Sequence, residues 1–445
     1  MKKLYILVLS LFSFTFSQPL DGVGLSLAGN YSAMSRGLNA LAYNPANLSL
    51  FRGNTVEINL LTANAVLANS SFSLNSYNRY FTLEGNNDHW SDADKKNILD
   101  LIGDDGLGLN LDFNANVFGL AFNNFALAAQ VVARGQSTID AKKLMKIGLF
   151  GETVDENYQF LQPSLADADA FSALKVSVGY AYPFQIKSIL PARVRRILPG
   201  LSTVALGAAI NYYVGFAVAQ SRSAEFMLRR NPAQGEGDES AVFDAYMSAR
   251  TALSDEGAPV GKGQSFDFGL TAKYDKDWSI SLSFQNIGGK INWTENTEMF
   301  YVHQYDSVSF ADEQDDEEED WAIDEDSTLA ISSFSTPMPQ MMRLGVSWRI
   351  LPNWRVSADW QQGLNTAFGN STTPKVGVAT EYFVLSWLPL RSGMAIGGRE
   401  GFQYGLGLGL NFSFFDLDFS YAMNKALWPT YSRGAFLALG MKIKI

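Results

Sequence analysis

Between Phe402 and Phe412 every second residue is large and apolar: Phe402, Tyr404, Leu406, Leu408, Leu410 and Phe412. The residues between them are Gln403, Gly405, Gly407, Gly409 and Asn411. A strict period of two belongs to extended chain with one apolar and one polar face. The next run puts Phe415, Leu417, Phe419, Tyr421 and Met423 against Asp416, Asp418, Ser420 and Asn424. A tight turn at Ser413-Phe414 pairs Asn411 with Asp416 and Phe412 with Phe415, so the two faces agree across the hairpin. The same alternation recurs in 343–350, 353–361, 266–274 and 280–285. It closes the chain on Leu437, Leu439, Met441 and Ile443 against Lys442 and Lys444.

Alternation alone also suits a soluble sandwich. The chain is 47% hydrophobic and 13% aromatic, yet no apolar run of the ~20 residues a spanning helix needs follows its N-terminus. Apolarity spread over every second residue fits an all-β, transmembrane antiparallel β-barrel. Fourteen strands are expected, near 54–67, 109–121, 123–134, 171–183, 201–220, 264–274, 278–290, 340–350, 353–362, 374–384, 389–397, 402–412, 415–424 and 434–444. Tight turns and long loops alternate between most of them, as outer-membrane barrels show. Tyr274, Trp278, Trp354 and Trp387 cluster at the tight turns, where amphipathic rings favour a membrane interface; Trp293, Trp360 and Trp428 are expected at the other.

Lys2 and Lys3 precede an apolar run from Leu4 to Phe16, the layout of a secretory signal peptide over 1–17. The expected organisation is then a plug or hatch segment, 18–53, and a barrel, 54–445. An outer-membrane location in a Gram-negative cell follows, with both termini periplasmic and lipid and lipopolysaccharide as surroundings.

Chemistry is largely excluded. The chain has no cysteine and two histidines, His89 and His303, and it lacks G-x-S-x-G, so no enzyme and no cofactor are expected. A net charge of −11 argues against nucleic acid. The run 311–327 lies in a long acidic outer loop, 291–339, and reads as a solvated charge run. No metal is expected; Asp315, Asp316, Glu317 and Glu318 come nearest to a divalent site but lack calcium-loop spacing. Arg343, Arg349, Arg355, Asp359, Asp416 and Asp418 fall on the polar face and are expected in the lumen, pairing with one another or with the plug. Ser91 opens a capped helix ending at Gly103, a second helix is expected over 138–150, and 184–200 reads as a basic amphipathic segment.

Residues 37–51, GLNALAYNPANLSLF, are small, with Asn44 as a cap and Pro45 as first helical residue. Such a segment can fold inside a barrel whose wall carries Gly405, Gly407 and Gly409. The stretch 24–60, with its Asn44-Pro45-Ala46 turn, resembles the N-terminal hatch of the FadL-like long-chain fatty acid transporter superfamily. The run 388–423 is similar to the same superfamily, including its PorV-like group, and 89–106 to a branch without assigned function. The resemblance implies a plugged fourteen-stranded barrel with Asn44, Pro45 and Ala46 in the hatch. None of the family's ligand-pocket residues has a match here. Two functions follow as expectations: passive uptake of small hydrophobic molecules, or a PorV-like scaffold or shuttle for secreted or surface-attached proteins. A purely structural barrel or adhesin anchor is a third.

Overall fold

The computed structural model describes residues 21–50, 56–82, 89–104, 106–140, 142–150, 159–162, 165–186, 196–197, 199–231, 240–309 and 323–445. Its strands are β1 (Val56–Asn69), β2 (Leu107–Phe122), β3 (Phe125–Ile139), β4 (Gln159–Gln162), β5 (Ala166–Gln185), β6 (Leu201–Asn231) and β7 (Ser240–Leu253). Then come β8 (Gly261–Tyr274), β9 (Trp278–Trp293), β10 (Thr297–Ser309), β11 (Ile323–Ala330), β12 (Phe334–Pro337) and β13 (Met341–Leu351). The last are β14 (Trp354–Gly363), β15 (Lys375–Leu385), β16 (Leu388–Gly397), β17 (Gly401–Asn411), β18 (Phe415–Asn424) and β19 (Gly434–Lys444).

Fourteen of these close a ring in the order β1, β2, β3, β5, β6, β8, β9, β13 through β19 and back to β1, each pair antiparallel. All fourteen expected strands are there, their ends shifted by a few residues. The 412–415 turn has the register read from sequence, Asn411 opposite Asp416, with Phe412 N–H donating to the Phe415 carbonyl at 2.8 Å. Closure comes from Glu57 opposite Lys444 through Ala68 opposite Gly434, which leaves the ring no open edge.

Burial along the strands is inverted relative to a soluble protein. Leu408 and Phe419 are 45% and 47% exposed on the outer face, whereas Asp418 and Ser420, pointing inward, are 4% and 0% exposed. Leaving a large apolar side chain in water forfeits roughly 1.5–3 kcal/mol, and Leu344, Val376, Val378, Ile396, Leu406 and Leu437 repeat the pattern. Hydrocarbon is the solvent that makes this arrangement stable. The chain is a transmembrane barrel. A bulge in β1 at Asn59/Leu61 turns both Leu60 and Leu61 outward, where each stays exposed.

One end carries short turns at 123–124, 275–277, 352–353 and 386–387, the other the long connections. At the short-turn end Trp278 stacks on Trp348, 5.1 Å between ring centroids, and Trp387 on Phe412 at 5.7 Å. Trp354 Nε1 donates to Thr380 Oγ1 at 2.8 Å. Trp293 departs from the expected interface position. It is fully buried in the lumen, its Nε1–H donating to Thr336 Oγ1 at 2.9 Å. A bulged region of β8 and β9, where Asn286 and Gly288 have positive φ, lies before it, and its two register shifts leave the odd-numbered residues of β9, Trp293 among them, on the inner face.

The long-loop end corrects a second expectation. Segments 221–263 and 291–339 are not simple loops. β6 runs on past the ring, pairs with β7 along 217–231, β7 pairs with β10, and β10 with β11, with β4 against 226–229 of β6. The C-terminal part of the acidic run is thus strand β11, with Glu325 opposite His303. Asp315, Asp316, Glu317 and Glu318 lie outside the described residues, as does most of 184–200; among the described residues no acidic or histidine cluster could hold a metal.

Among the described residues there are five short α-helices: α1 (Gly22–Ser26), α2 (Ala40–Tyr43), α3 (Leu74–Phe81), α4 (Asp92–Leu101) and α5 (Lys142–Phe150). Ser91 and Asp94 form a capping box at the start of α4, and Ser73 and Ser76 do the same for α3, which had no sequence signal of comparable clarity. Helices α3, α4 and α5 share a small apolar cluster of Tyr80, Ile98 and Leu149. Lys142 donates to Asp104 at 2.7 Å and lowers that carboxyl below its usual range.

Candidate functional site: the plug and the chamber above it

Residues 21–50 fill the lumen and are buried almost throughout. Little of the segment is regular, so its backbone groups need partners from elsewhere. Asp21 caps α1, accepting from Val23 N at 2.9 Å and Gly24 N at 2.6 Å. The barrel wall supplies the rest. Ser357 Oγ donates to the Asn30 carbonyl (2.7 Å), Gln361 Nε2 to Gly29 (2.8 Å), Ser283 Oγ to Tyr43 (2.7 Å) and Gln285 Nε2 to Ala42 (2.5 Å). Carboxylates serve the plug's N–H groups: Asp359 Oδ2 accepts from Ser32 N at 2.8 Å, and Glu57 Oε2 from Leu38 N at 3.1 Å.

Asn44 ends α2 and opens the 3₁₀ turn Pro45–Leu50, its Oδ1 accepting from Ala46 N at 2.9 Å. Its amide Nδ2 donates to the Leu270 carbonyl and Thr271 Oγ1, both at 3.1 Å. The turn therefore holds its own shape and grips β8 at once. Glycine makes room for it. A Cβ on Gly207 or Gly269 would strike the backbone of Pro45-Ala46; on Gly393, that of Leu27; on Gly405, the Leu25 and Ser26 carbonyls. Gly407 faces Ser26, while Gly409 faces Asp418 instead.

The charged residues of the polar face occupy three settings. Arg343 is wholly buried; its Nε donates to Gln285 Oε1 at 2.9 Å, its Nη1 to Gln361 Oε1 at 3.1 Å, and its guanidinium lies 5.2 Å from the Tyr43 ring centroid. Asp418 shares Arg391 with Glu381, at 2.6 and 2.8 Å, and Arg355 approaches Glu381 at 3.5 Å. Asp416 pairs with Lys444 at 2.7 Å, and Arg349 with Asp277 at 2.9 Å beside the short-turn rim. Arg391 and Glu381 went unnoticed in the sequence, although both stand at inward positions of their strands.

Above the plug, toward the long loops, lies a small chamber with about 40 Å³ of free room. Its floor is Ala42 of the plug. Its lining is mixed: apolar Val132, Phe171, Met338 and Met341 stand among polar Asn114, Gln130, Arg134, Lys175 and Tyr213, with Val132 between Gln130 and Arg134 on β3. Its roof comes from the 364–374 connection, which starts at β14 and β15 and reaches β3 and β5 across the ring. Phe368 at its tip is buried, 4.5 Å from the Phe171 ring, in a left-handed conformation (φ 46°, ψ 48°). That conformation costs an L-residue roughly 1–2 kcal/mol. Asn370 holds the strap down, donating to the Gln340 and Asn365 carbonyls at 2.8 and 2.9 Å. Neither roof nor chamber had a sequence signal, because a single Phe in a polar loop has no period.

Residues 45–419 match a family of unknown function, DUF5723. The chain belongs to it. A search of curated proteins finds no match. Among solved structures, the DUF5723 chain is similar to the P. putida toluene transporter TodX, with TM-score 0.50 and 12% identity over 96% of this chain and 98% of that one. The Ralstonia pickettii toluene transporter TbuX gives 0.45 and 14% over 96% and 98%, and a Pseudomonas aeruginosa FadL homologue 0.44 and 11% over 97% and 98%. The likeness to TodX shows the fold, a closed fourteen-stranded antiparallel barrel. The solved barrels it resembles are transporters rather than enzymes.

Proposed function

We propose that this DUF5723 barrel is an outer-membrane protein for passive uptake of small hydrophobic molecules. Both termini are periplasmic, and Asn44-Pro45-Ala46 acts as the hatch. The observation that carries the reading is the chamber between roof and plug, lined in part by Val132, Phe171, Met338 and Met341; its room of about 40 Å³ widens to take a hydrocarbon only when roof or plug moves. TodX, a toluene transporter of the same fold, supports the substrate class. A molecule enters past Phe368, rests against Val132, Phe171 and Met338, and leaves when the plug shifts from β8. No nucleotide or cofactor is needed, since the gradient drives the flux.

The test uses a lock on the plug. A Cβ placed on Gly345 lies 3.0 Å from Ser32 Cβ and 2.7 Å from Asp359 Oδ1, so in a chain without other cysteines Ser32→Cys with Gly345→Cys reaches disulfide geometry after a shift of under about 1 Å that also moves the Asp359 carboxylate. Cells carrying the pair should take up toluene only after reductant is added. Uptake indifferent to the lock would refute plug movement as the release step.

The outer sheet β6–β7–β10–β11 favours a second reading, a scaffold for a secreted protein, because such a sheet adds surface rather than passage. Removing 297–330 should leave toluene uptake intact and lose a co-purifying protein partner. Native mass spectrometry of the gently extracted barrel separates the two readings directly.

A further inference from the structure

One sector of the lumen wall is unlike the rest. Inward positions of β2 carry Asn110, Asp112, Asn114 and Asn116, one every second residue, and β1 adds Thr62 and Asn64 beside them. Elsewhere the wall's polar groups hold the plug or one another. Here a second, narrow cavity with about 30 Å³ of free room separates wall and plug. It runs between Asp21, Leu38 and Asn39 of the plug and Thr62, Asn64 and Asn116 of the wall. Ala42, Asn114 and Gln130 line both this cavity and the chamber, so the two spaces adjoin at plug level.

Two polar atoms along this line, Asp21 Oδ2 and Asn116 Oδ1, are buried and make no hydrogen bond, and Asp112 Oδ2 has only the ion-pair contact with Arg134 Nε at 3.4 Å; the residues Asp21 and Asp112 are 8% and 1% exposed. Leaving such a group unsatisfied is unfavourable, more so for a charge. A polar space wide enough for water resolves that cost by hydration. Side-chain amides both donate and accept, so a file of them suits solutes that do the same. A hydrocarbon there would strand every amide it touched. Toward the short-turn end the polar line continues: Lys442 Nζ donates to Asn39 Oδ1 at 2.6 Å, and Lys444, half-buried at the rim, holds Asp416. Toward the long loops it continues through Arg134 and Gln136, whose Oε1 accepts from Arg399 Nη1 at 2.6 Å.

We infer that the chamber opens past the seated plug into an amide-lined side passage that conducts water and very small neutral hydrogen-bonding solutes. This is a second activity, separate from hydrophobic uptake, because it needs no movement of residues 21–50. The passage lies along β1, β2 and β3, whereas the plug's grip on β8, β9, β13 and β14 is on the other side of the ring.

The experiment is swelling of liposomes containing the purified full-length barrel in isotonic urea, followed by light scattering. The wild type should swell faster than protein-free liposomes. The Ser32→Cys/Gly345→Cys barrel, oxidised, should stay within about twofold of wild type while its toluene uptake stops. Thr62→Val with Asn116→Leu, at two residues that line the side cavity and not the chamber, should cut the protein-dependent rate at least fivefold and leave toluene uptake in place. Correct folding is checked by heat-dependent mobility in detergent gels, and Asn116→Leu alone serves if the pair does not fold. Wild-type swelling equal to protein-free liposomes overturns the inference. So does abolition by the plug lock, which would place urea on the plug-movement route, or a rate untouched by the substitutions at 62 and 116. Failure of the toluene measurement alone would strike the uptake reading and leave the side passage standing.

Discussion

Three glycines allow the fit of the plug to be tested with an internal control. A Cβ on Gly393 would stand 2.7 Å from Leu27 Cα, and one on Gly207 2.5 Å from Ala46 Cα, both backbone atoms of the plug. On Gly440, also on the lumen side, the nearest atom would be Asp418 Cβ at 3.8 Å, an ordinary contact. Other backbone atoms of Leu27, Pro45 and Ala46 would be nearer still, so restoring about 3.4 Å demands a displacement of roughly 1 Å at the first two sites and none at the third. Overpacking of that kind costs about 1–3 kcal/mol. The strain falls on the seated plug rather than on the ring, whose hydrogen-bonded ladders are closed. At 1.4 kcal/mol per factor of ten, Gly393→Ala and Gly207→Ala should raise the opening constant of the plug by about 5- to 150-fold. Native-state hydrogen exchange reads this directly, as faster exchange of amides in 22–50 with strand amides unchanged. Gly440→Ala should behave as wild type. The reasoning fails if Gly440→Ala loosens the plug as much as Gly393→Ala, or if exchange rises equally throughout the ring.

Three further outcomes are expected. Arg391→Met leaves Glu381 and Asp418 buried without their shared cation, a loss of about 3–5 kcal/mol visible as a lower unfolding temperature in heat-modifiability gels; an unchanged temperature would contradict the pairing. Asp359→Ala orphans the Ser32 N–H, so exchange near residue 32 should quicken about tenfold or more, while Asp359→Asn, which still accepts, should restore most of the protection. Phe368→Ala removes the ring packed on Phe171 at about 3–5 kcal/mol, and limited proteolysis should then cut within 364–374, where the wild type resists.

Legibility in the sequence followed the physics of each part. The strands from Met341 onward could be placed within a residue or two because each has one face in lipid and one in the lumen, and that contrast writes a period of two. β7 and β10 lie outside that contrast. Ser240–Leu253 and Thr297–Ser309 form a sheet beyond the ring, where neither face has to be apolar, so they read as loop. Trp293 misled for a different reason: it lies an odd number of residues after outward-facing Trp278, so the period of two puts it inside, whereas its place at a strand end suggested the interface. The plug showed itself by small residues and the Asn44-Pro45 turn. Its seat did not, since glycines such as Gly207 and Gly393 reveal a role only once an opposing backbone is known.

The ring joins its first strand to its last. Val56 and Ile445 exchange backbone hydrogen bonds at 2.8 and 2.9 Å, and β1 lies along the whole of β19. That seam closes only when β1 and β19 meet, since each already has its other neighbour in β2 and β18. Loss of the final eleven residues would not yield a smaller cylinder. It would leave a curled sheet with two bare margins, free to pair with whatever strand comes next, and its stopper enclosed on one side only.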